Sequence, residues 1–173
     1  MLTGAERREQ LLAVLEGSVK PVSGTDLARQ FEVSRQVIVQ DVALLRATNK
    51  NILSTNKGYI LFRDDDKDKK AKRTVRVQHR DEEILQEFQC IVDCGARVLD
   101  VVVEHELYGQ ISVDLLIQNR QDAAHFVQQM QSCQSRSLNI LTGGVHYHTI
   151  EADSEERLDR AVEALKQAGF LAE

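Results

Sequence analysis

The sequence holds no apolar stretch long enough to cross a bilayer, and Met1-Leu2-Thr3 leads into a charged amphipathic segment where a signal peptide would stand. Cysteine is scarce as well. The chain has three in 173 residues, an odd number, and Cys90 and Cys94 fall four apart on one expected helix face. So few thiols exclude a disulfide framework and fit a reducing cytoplasm, where Cys90 and Cys94 read as small buried apolar side chains and not as a metal site. There is no internal repeat and, outside one charged run, no low-complexity segment. The sequence therefore predicts a cytoplasmic chain with no membrane partner, large enough for two small domains with separate cores.

An excess of basic residues is also missing, since the net charge is −5. The deficit is uneven: residues 1–73 carry +4 and residues 74–173 carry −9. Local charge governs attraction to phosphates, so the first part suits a polyanion while the acidic part stays away from it. An excess of four is modest, and a homodimer presenting two such heads is expected.

What is present begins with residues 23–46, SGTDLARQFEVSRQVIVQDVALLR. Ser23 is placed to cap a short helix carrying Leu27, Ala28 and Phe31. After a turn at Glu32-Val33, Ser34 caps a second helix with Val37, Ile38, Val42 and Leu45 on its apolar side. The remaining face holds Ser34, Arg35, Gln36, Gln40 and Arg46, donors suited to phosphates and base edges. A helix-turn-helix puts such residues at the start of the helix that enters the major groove. Residues 5–15 supply a preceding helix. Residues 51–62 read as two strands turning at Asn56-Lys57-Gly58, whose Asn and Gly tolerate positive φ. The whole predicts a winged helix over residues 1–63 that binds double-stranded operator DNA, with Lys57 at the wing tip reaching phosphates. A structural or dimerisation module would share the same periodicity.

Residues 64–73, DDDKDKKAKR, have no apolar periodicity and read as a solvated linker. Beyond it the order is β-α-β-β-α-β with a trailing helix: strands near 74–78, 98–104, 110–117 and 146–151, and helices near 81–94, 122–131 and 154–168. That order predicts a ferredoxin-like α/β sandwich over residues 74–173, and with the winged helix an α+β protein. The fold by itself implies no chemistry.

All five histidines lie beyond the linker, at 79, 105, 125, 146 and 148. His146 and His148 share one face of a strand, so both imidazoles can converge on one ion. Glu83 and Glu87 are four apart on an expected helix, and His79 stands just before it. Two or three imidazoles with one carboxylate suit Zn²⁺, Ni²⁺ or Fe²⁺. The competing reading is of ordinary polar residues on an exposed strand.

The segments DLARQFEVSRQVIVQDVALLR and NKGYIL resemble the winged helix of small-molecule-responsive bacterial regulators and biotin-ligase repressors. VQHRDEEILQE, VVEHELYGQI and LTGGVHYHTIEA resemble the three-histidine (3H) domain, and the combination is similar to the nicotinate-responsive repressors of NAD-biosynthesis and niacin-uptake genes. The resemblance implies a divalent metal held by His79, Glu87, His146 and His148. It also implies a place for His105 and the nearby Tyr108 in the effector pocket. Glu106 departs from the family pattern, where proline is expected. Nicotinate would be the corepressor, its carboxylate or pyridine nitrogen completing an open coordination position on the ion. Two other classes stay open. One is a metalloregulator in which the ion is the signal. The other is an enzyme, against which stand the missing glycine-arginine-rich nucleotide loop and the want of a general base other than Glu83.

Overall fold

The computed structural model describes residues 1–48, 50–62 and 70–172, which fall into two compact units, Met1–Asp65 and Asp66–Glu173. Among the described residues no helix is long and apolar enough to cross a membrane.

In the first unit, three helices and a hairpin surround one small core. Thr3 caps α1 (Gly4–Glu16) in a reciprocal arrangement with Glu6, and Leu11 and Leu15 turn inward. Ser23 caps α2 (Gly24–Gln30) and Ser34 caps α3 (Arg35–Ala47), each hydroxyl accepting a first-turn N–H as expected from the sequence. Between them Glu32 takes a positive φ of 53°, which makes the connection tight. Leu27, Ile38, Val42 and Leu45 join Ile52 and Tyr59 of the wing strands β1 (Ile52–Thr55) and β2 (Gly58–Leu61) in the core.

The wing turn is tighter than a three-residue reading implies. Thr55 pairs with Gly58, so Asn56 and Lys57 alone span it, and Gly58, at φ 130°, takes the positive φ. Tyr59 and Val22 exchange N–H···O=C bonds of 2.8 Å, pulling the wing onto the strand before α2. A Cβ at residue 58 would lie 2.3 Å from the Val22 carbonyl oxygen.

In the second unit, β3 (Ala71–Gln78), β4 (Arg97–His105), β5 (Gly109–Ile117) and β6 (Val145–Ala152) form one antiparallel sheet covered by α4 (Ile84–Val92), α5 (Arg120–Ser132) and α6 (Glu155–Gln167). The element order and the α+β class are as expected. The strand order, β3-β6-β4-β5, places β6 and β4 inside the sheet. A ferredoxin-like sheet keeps its first and third strands inside, so here the histidine-bearing β6 gains two neighbours and is thereby buried. The core packs Val75, Val77, Val98 and Ile150 of the sheet against Phe88 and Ile91 of α4 and Leu158 and Leu165 of α6.

The expected linker ends earlier than its charge suggests. Residues 64–69 lie outside the described residues, but Ala71, Lys72 and Arg73 already belong to β3. Their charges are engaged: the Arg73 guanidinium meets Asp159 at 2.7 Å and Glu155 at 2.8 Å on α6, and Lys72 reaches Glu151 at 3.5 Å. A charge run reads as solvated only when its partners are distant in sequence and so invisible.

Gly58→Ala is expected to destabilise the first unit by more than about 1 kcal/mol, because it combines a forbidden φ with a clash against main chain. Hydrogen-exchange protection in α1 and α3 should drop at least about fivefold. Undiminished protection would contradict the close approach at Val22.

Candidate metal centre and DNA-reading head

Three elements of the second unit deliver four polar side chains to one buried point. His79 follows directly on β3, whose last N–H, at Gln78, donates to the Phe170 carbonyl at 2.8 Å. Gly144 packs on the main chain of His79 so closely that a Cβ there would sit 2.5 Å from the His79 oxygen. Strand β6 pairs Val77 with His146 and Val75 with His148, which puts both imidazoles on the helix-covered face of the sheet. Glu87 comes from the first turn of α4. The exposed-strand alternative is thus excluded: the four side chains are 0–2% exposed.

The carboxylate is the hub. The Nε2 of His79 lies 2.6 Å from Glu87 Oε2, and those of His148 and His146 lie 2.9 and 3.3 Å from Oε1. The ligand-type atoms of His79, Glu87 and His146 fall within 4.8 Å of one another. The far nitrogens settle the tautomers. Each Nδ1 meets a main-chain carbonyl, of Arg80 at 2.8 Å, Gly144 at 2.8 Å and Asp100 at 2.6 Å. A carbonyl only accepts, so each Nδ1 carries a proton, as in metal-ligating histidines whose orientation is fixed by an outer acceptor. A bulge in β4 between Val98 and Asp100 breaks the register beside His148, and Asp100 also accepts the Thr149 N–H at 2.6 Å.

With Nδ1 protonated, each neutral imidazole aims an Nε2 lone pair at an anion. Lone pairs facing a carboxylate repel unless protons or a cation lie between them. His148 makes the point most clearly, since its buried Nε2 is near Glu87 yet too poorly directed to hydrogen-bond to it. The donor set, three nitrogens and a carboxylate oxygen, therefore fits a divalent transition ion.

Protonation is the alternative way to balance the charge. Burial disfavours charged His79, but the hydrogen bond and charge of Glu87 outweigh it, and the pKa is raised. His148 is likewise opposed by burial and raised by the Glu87 charge. Burial pushes Glu87 up, but the facing imidazoles, His148 foremost, hold it well below the usual carboxylate range.

Glu83, the alternative carboxylate, points elsewhere. Residues Asp81–Glu83 form a 3-10 turn and α4 begins only at Ile84, so Glu83 and Glu87 do not stand on one continuous α-helix. Glu83 instead accepts the Arg80 N–H at 2.8 Å. His105 and Tyr108 stand at the β4–β5 hairpin. His105 Nδ1 accepts the N–H groups of Leu107 and Tyr108 at 3.2 and 3.3 Å, and Tyr108 is 75% exposed. Their expected effector role finds no support in this placement: His105 organises a turn. A cleft of about 450 Å³ opens outside the centre, lined by residues 79–82 together with Arg136, Ile140, Gly143 and Gly144. The Cys90 and Cys94 thiols are half-buried and free, and burial pushes both pKa values up.

In the first unit, Ser34, Arg35, Gln36 and Gln40 are exposed along α3 and Lys57 lies in the wing turn. Arg46 is turned to other work: its Nε–H donates to the Ile52 carbonyl at 2.7 Å, joining the end of α3 to the wing. Sequence reasoning missed Asp41. It is 2% exposed within the Ile38, Val42, Leu45 stripe and takes Arg7 at 2.5 Å and Arg8 at 3.4 Å from α1. An acid inside an apolar stripe was the available signal.

Residues 7–60 match the HTH domain family and residues 72–173 match the 3H domain family. The chain is 43% identical over 168 residues to a protein of Thermotoga maritima named "Probable transcription repressor NiaR", covering 97% of this chain and 94% of that one. It is 41% identical over 171 residues to the "Transcription repressor NadR" of Bacillus subtilis, covering 98% and 95%.

Two outcomes are expected. In chelator-treated protein the raised histidines contribute stability that is complete below about pH 6.5 and lost as pH rises through their folded values. The depressed Glu87 contributes above about pH 4.3 and loses it as pH falls. Denaturant midpoints of the metal-free chain should therefore peak between these limits, whereas metal uptake should strengthen as pH rises past 6.5 and the imidazoles shed protons. A metal-free midpoint that rises from pH 6 to 8 would contradict the charge balance. In the head, Arg35→Ala or Gln36→Ala should cost operator selectivity about 1–3 kcal/mol, and Lys57→Ala should weaken all sequences alike. Operator binding unaltered by both α3 variants would reject α3 as the reading helix.

Proposed function

The chain belongs to the family of transcription repressors that join an HTH domain to a 3H domain, and on that premise we propose that it represses NAD-biosynthesis and niacin-uptake genes with nicotinate as corepressor. It is a DNA-binding repressor and not an enzyme. The observation that carries the finer reading is the buried centre of His79, Glu87, His146 and His148, with every Nδ1 tied to main chain and every Nε2 turned on one carboxylate. His79, His146 and His148 would hold the ion, with Glu87 supplying the anionic ligand. The ion would supply the positive charge that Glu87 needs in a dry site.

Burial argues for a sensing and structural role. The centre leaves no exposed ligand face on which a water nucleophile and a substrate could meet, unlike the open position of a hydrolytic site. The residues around the centre would transmit its state. His79 and Gly144 bind the ends of β3 and β6, and the carbonyls of Arg80, Gly144 and Asp100 follow the rings they hold. In a homodimer in the cytoplasm, that wall would bias the separation of two α3 helices against half-sites about 34 Å apart. The same burial favours one second reading, a metalloregulator in which the ion alone is the signal.

The two readings separate by linkage. A corepressor acts only by its differential affinity for the DNA-competent state, typically about 1–3 kcal/mol, and the coupling runs both ways. Nicotinate affinity of the metal-loaded chain, measured by calorimetry, should rise severalfold in the presence of an operator duplex. Equal affinities with and without DNA would reject nicotinate as corepressor. Operator binding that follows metal concentration alone would then establish the metalloregulator.

A further inference from the structure

The cleft beside the centre shares with it a single residue, His79. The His79 side chain is fully buried, so what this residue offers the cleft is main chain. His146, His148 and Glu87 do not line it. A ligand in the cleft is therefore separated from the ligand nitrogens by the His79–Arg80 backbone, which the centre itself holds in place through the Nδ1 bond to Arg80.

Two of the four charged residues lining the cleft, Asp81 and Arg80, have partners. Asp81 accepts the N–H of Ser137 at 3.2 Å and the Ser137 hydroxyl, which ties the loop carrying Arg136 to the start of α4. Arg80 lies 3.9 Å from Glu83 and is 81% exposed. Among the described residues, Arg136 makes no hydrogen bond or ion pair, and Ile140, which lines the same cleft, is 47% exposed. An unengaged guanidinium in a cleft that also holds an exposed apolar side chain suits a small planar ring bearing one carboxylate. The guanidinium fork matches a carboxylate in two parallel bonds, and the aliphatic face accepts the ring. Glu82 in the same lining disfavours a dianion, so a monocarboxylate is preferred to a phosphate ester.

We propose that this cleft is the effector site, that Arg136 takes the effector's carboxylate, and that the effector makes no bond to the metal. The inference rests on the reading of nicotinate as effector and adds where and how it is held. The ion's part is then indirect: through His79 it fixes the wall that the ring lies against.

Two measurements on the full metal-loaded chain test it. Nicotinate affinity by calorimetry should fall at least about tenfold in R136Q, which removes a charged carboxylate partner, with metal content by elemental analysis unchanged. Nicotinamide, lacking the charge, should bind wild type and R136Q alike. In cobalt-substituted protein the visible ligand-field spectrum should stay constant as nicotinate saturates, because nothing enters the coordination shell. Nicotinate bound equally by wild type and R136Q, or a ligand-field shift on its addition, overturns this inference while leaving nicotinate as effector. Absence of nicotinate binding by wild type overturns both.

Discussion

Glu87 is a carboxylate removed from water, and the second unit is arranged around the need to neutralise it. An unpaired buried charge costs several kcal/mol, so the site exists only if positive charge is supplied within hydrogen-bonding distance. Three imidazoles surround it, and three main-chain carbonyls decide which of their nitrogens face inward. Those carbonyls come from the end of β3, the turn before β6 and the bulge of β4, so strand order and register are parts of the same charge balance. Protons or a metal ion can close that balance, and competition between them would make the centre responsive.

The DNA head uses a related device at smaller scale. Asp41 is buried in the apolar stripe of α3 and draws Arg7 and Arg8 from α1, so the orientation of the reading helix is fixed partly by charge. Removing the arginines would leave an uncompensated buried acid, a larger penalty than loss of a surface pair. The cap residues at 3, 23 and 34 and the Val22–Tyr59 bridge complete the positioning.

Periodicity made the head legible: caps, helix faces and the wing follow from spacing local in sequence. The H-x-H on a strand disclosed that His146 and His148 share a face, but not that the face is covered. Burial of that face comes from α4 and α6 packing over it, with β6 held between β3 and β4, nonlocal contacts that no local pattern records. Regular i, i+4 spacing does not distinguish Glu83 from Glu87; what does is burial of Glu87 among the histidines while Glu83 accepts the Arg80 N–H. Lys72 and Arg73 passed for linker because their partners sit some eighty residues later. His105 matched its family segment, yet its ring serves the turn of its own hairpin, so matching a histidine does not by itself place it in an effector pocket.

Burial also has a consequence in time. With every ligand nitrogen enclosed, and each ring pinned on its far side by a carbonyl, an ion in this centre cannot leave by rotation of one side chain. Exchange must wait for local opening of β6 or of the first turn of α4, and such openings are rare compared with diffusion in and out of an open cleft. The chain would therefore read its two chemical inputs on different clocks. Metal availability would be recorded on the timescale of those openings, and a ligand in the cleft would be sampled from moment to moment.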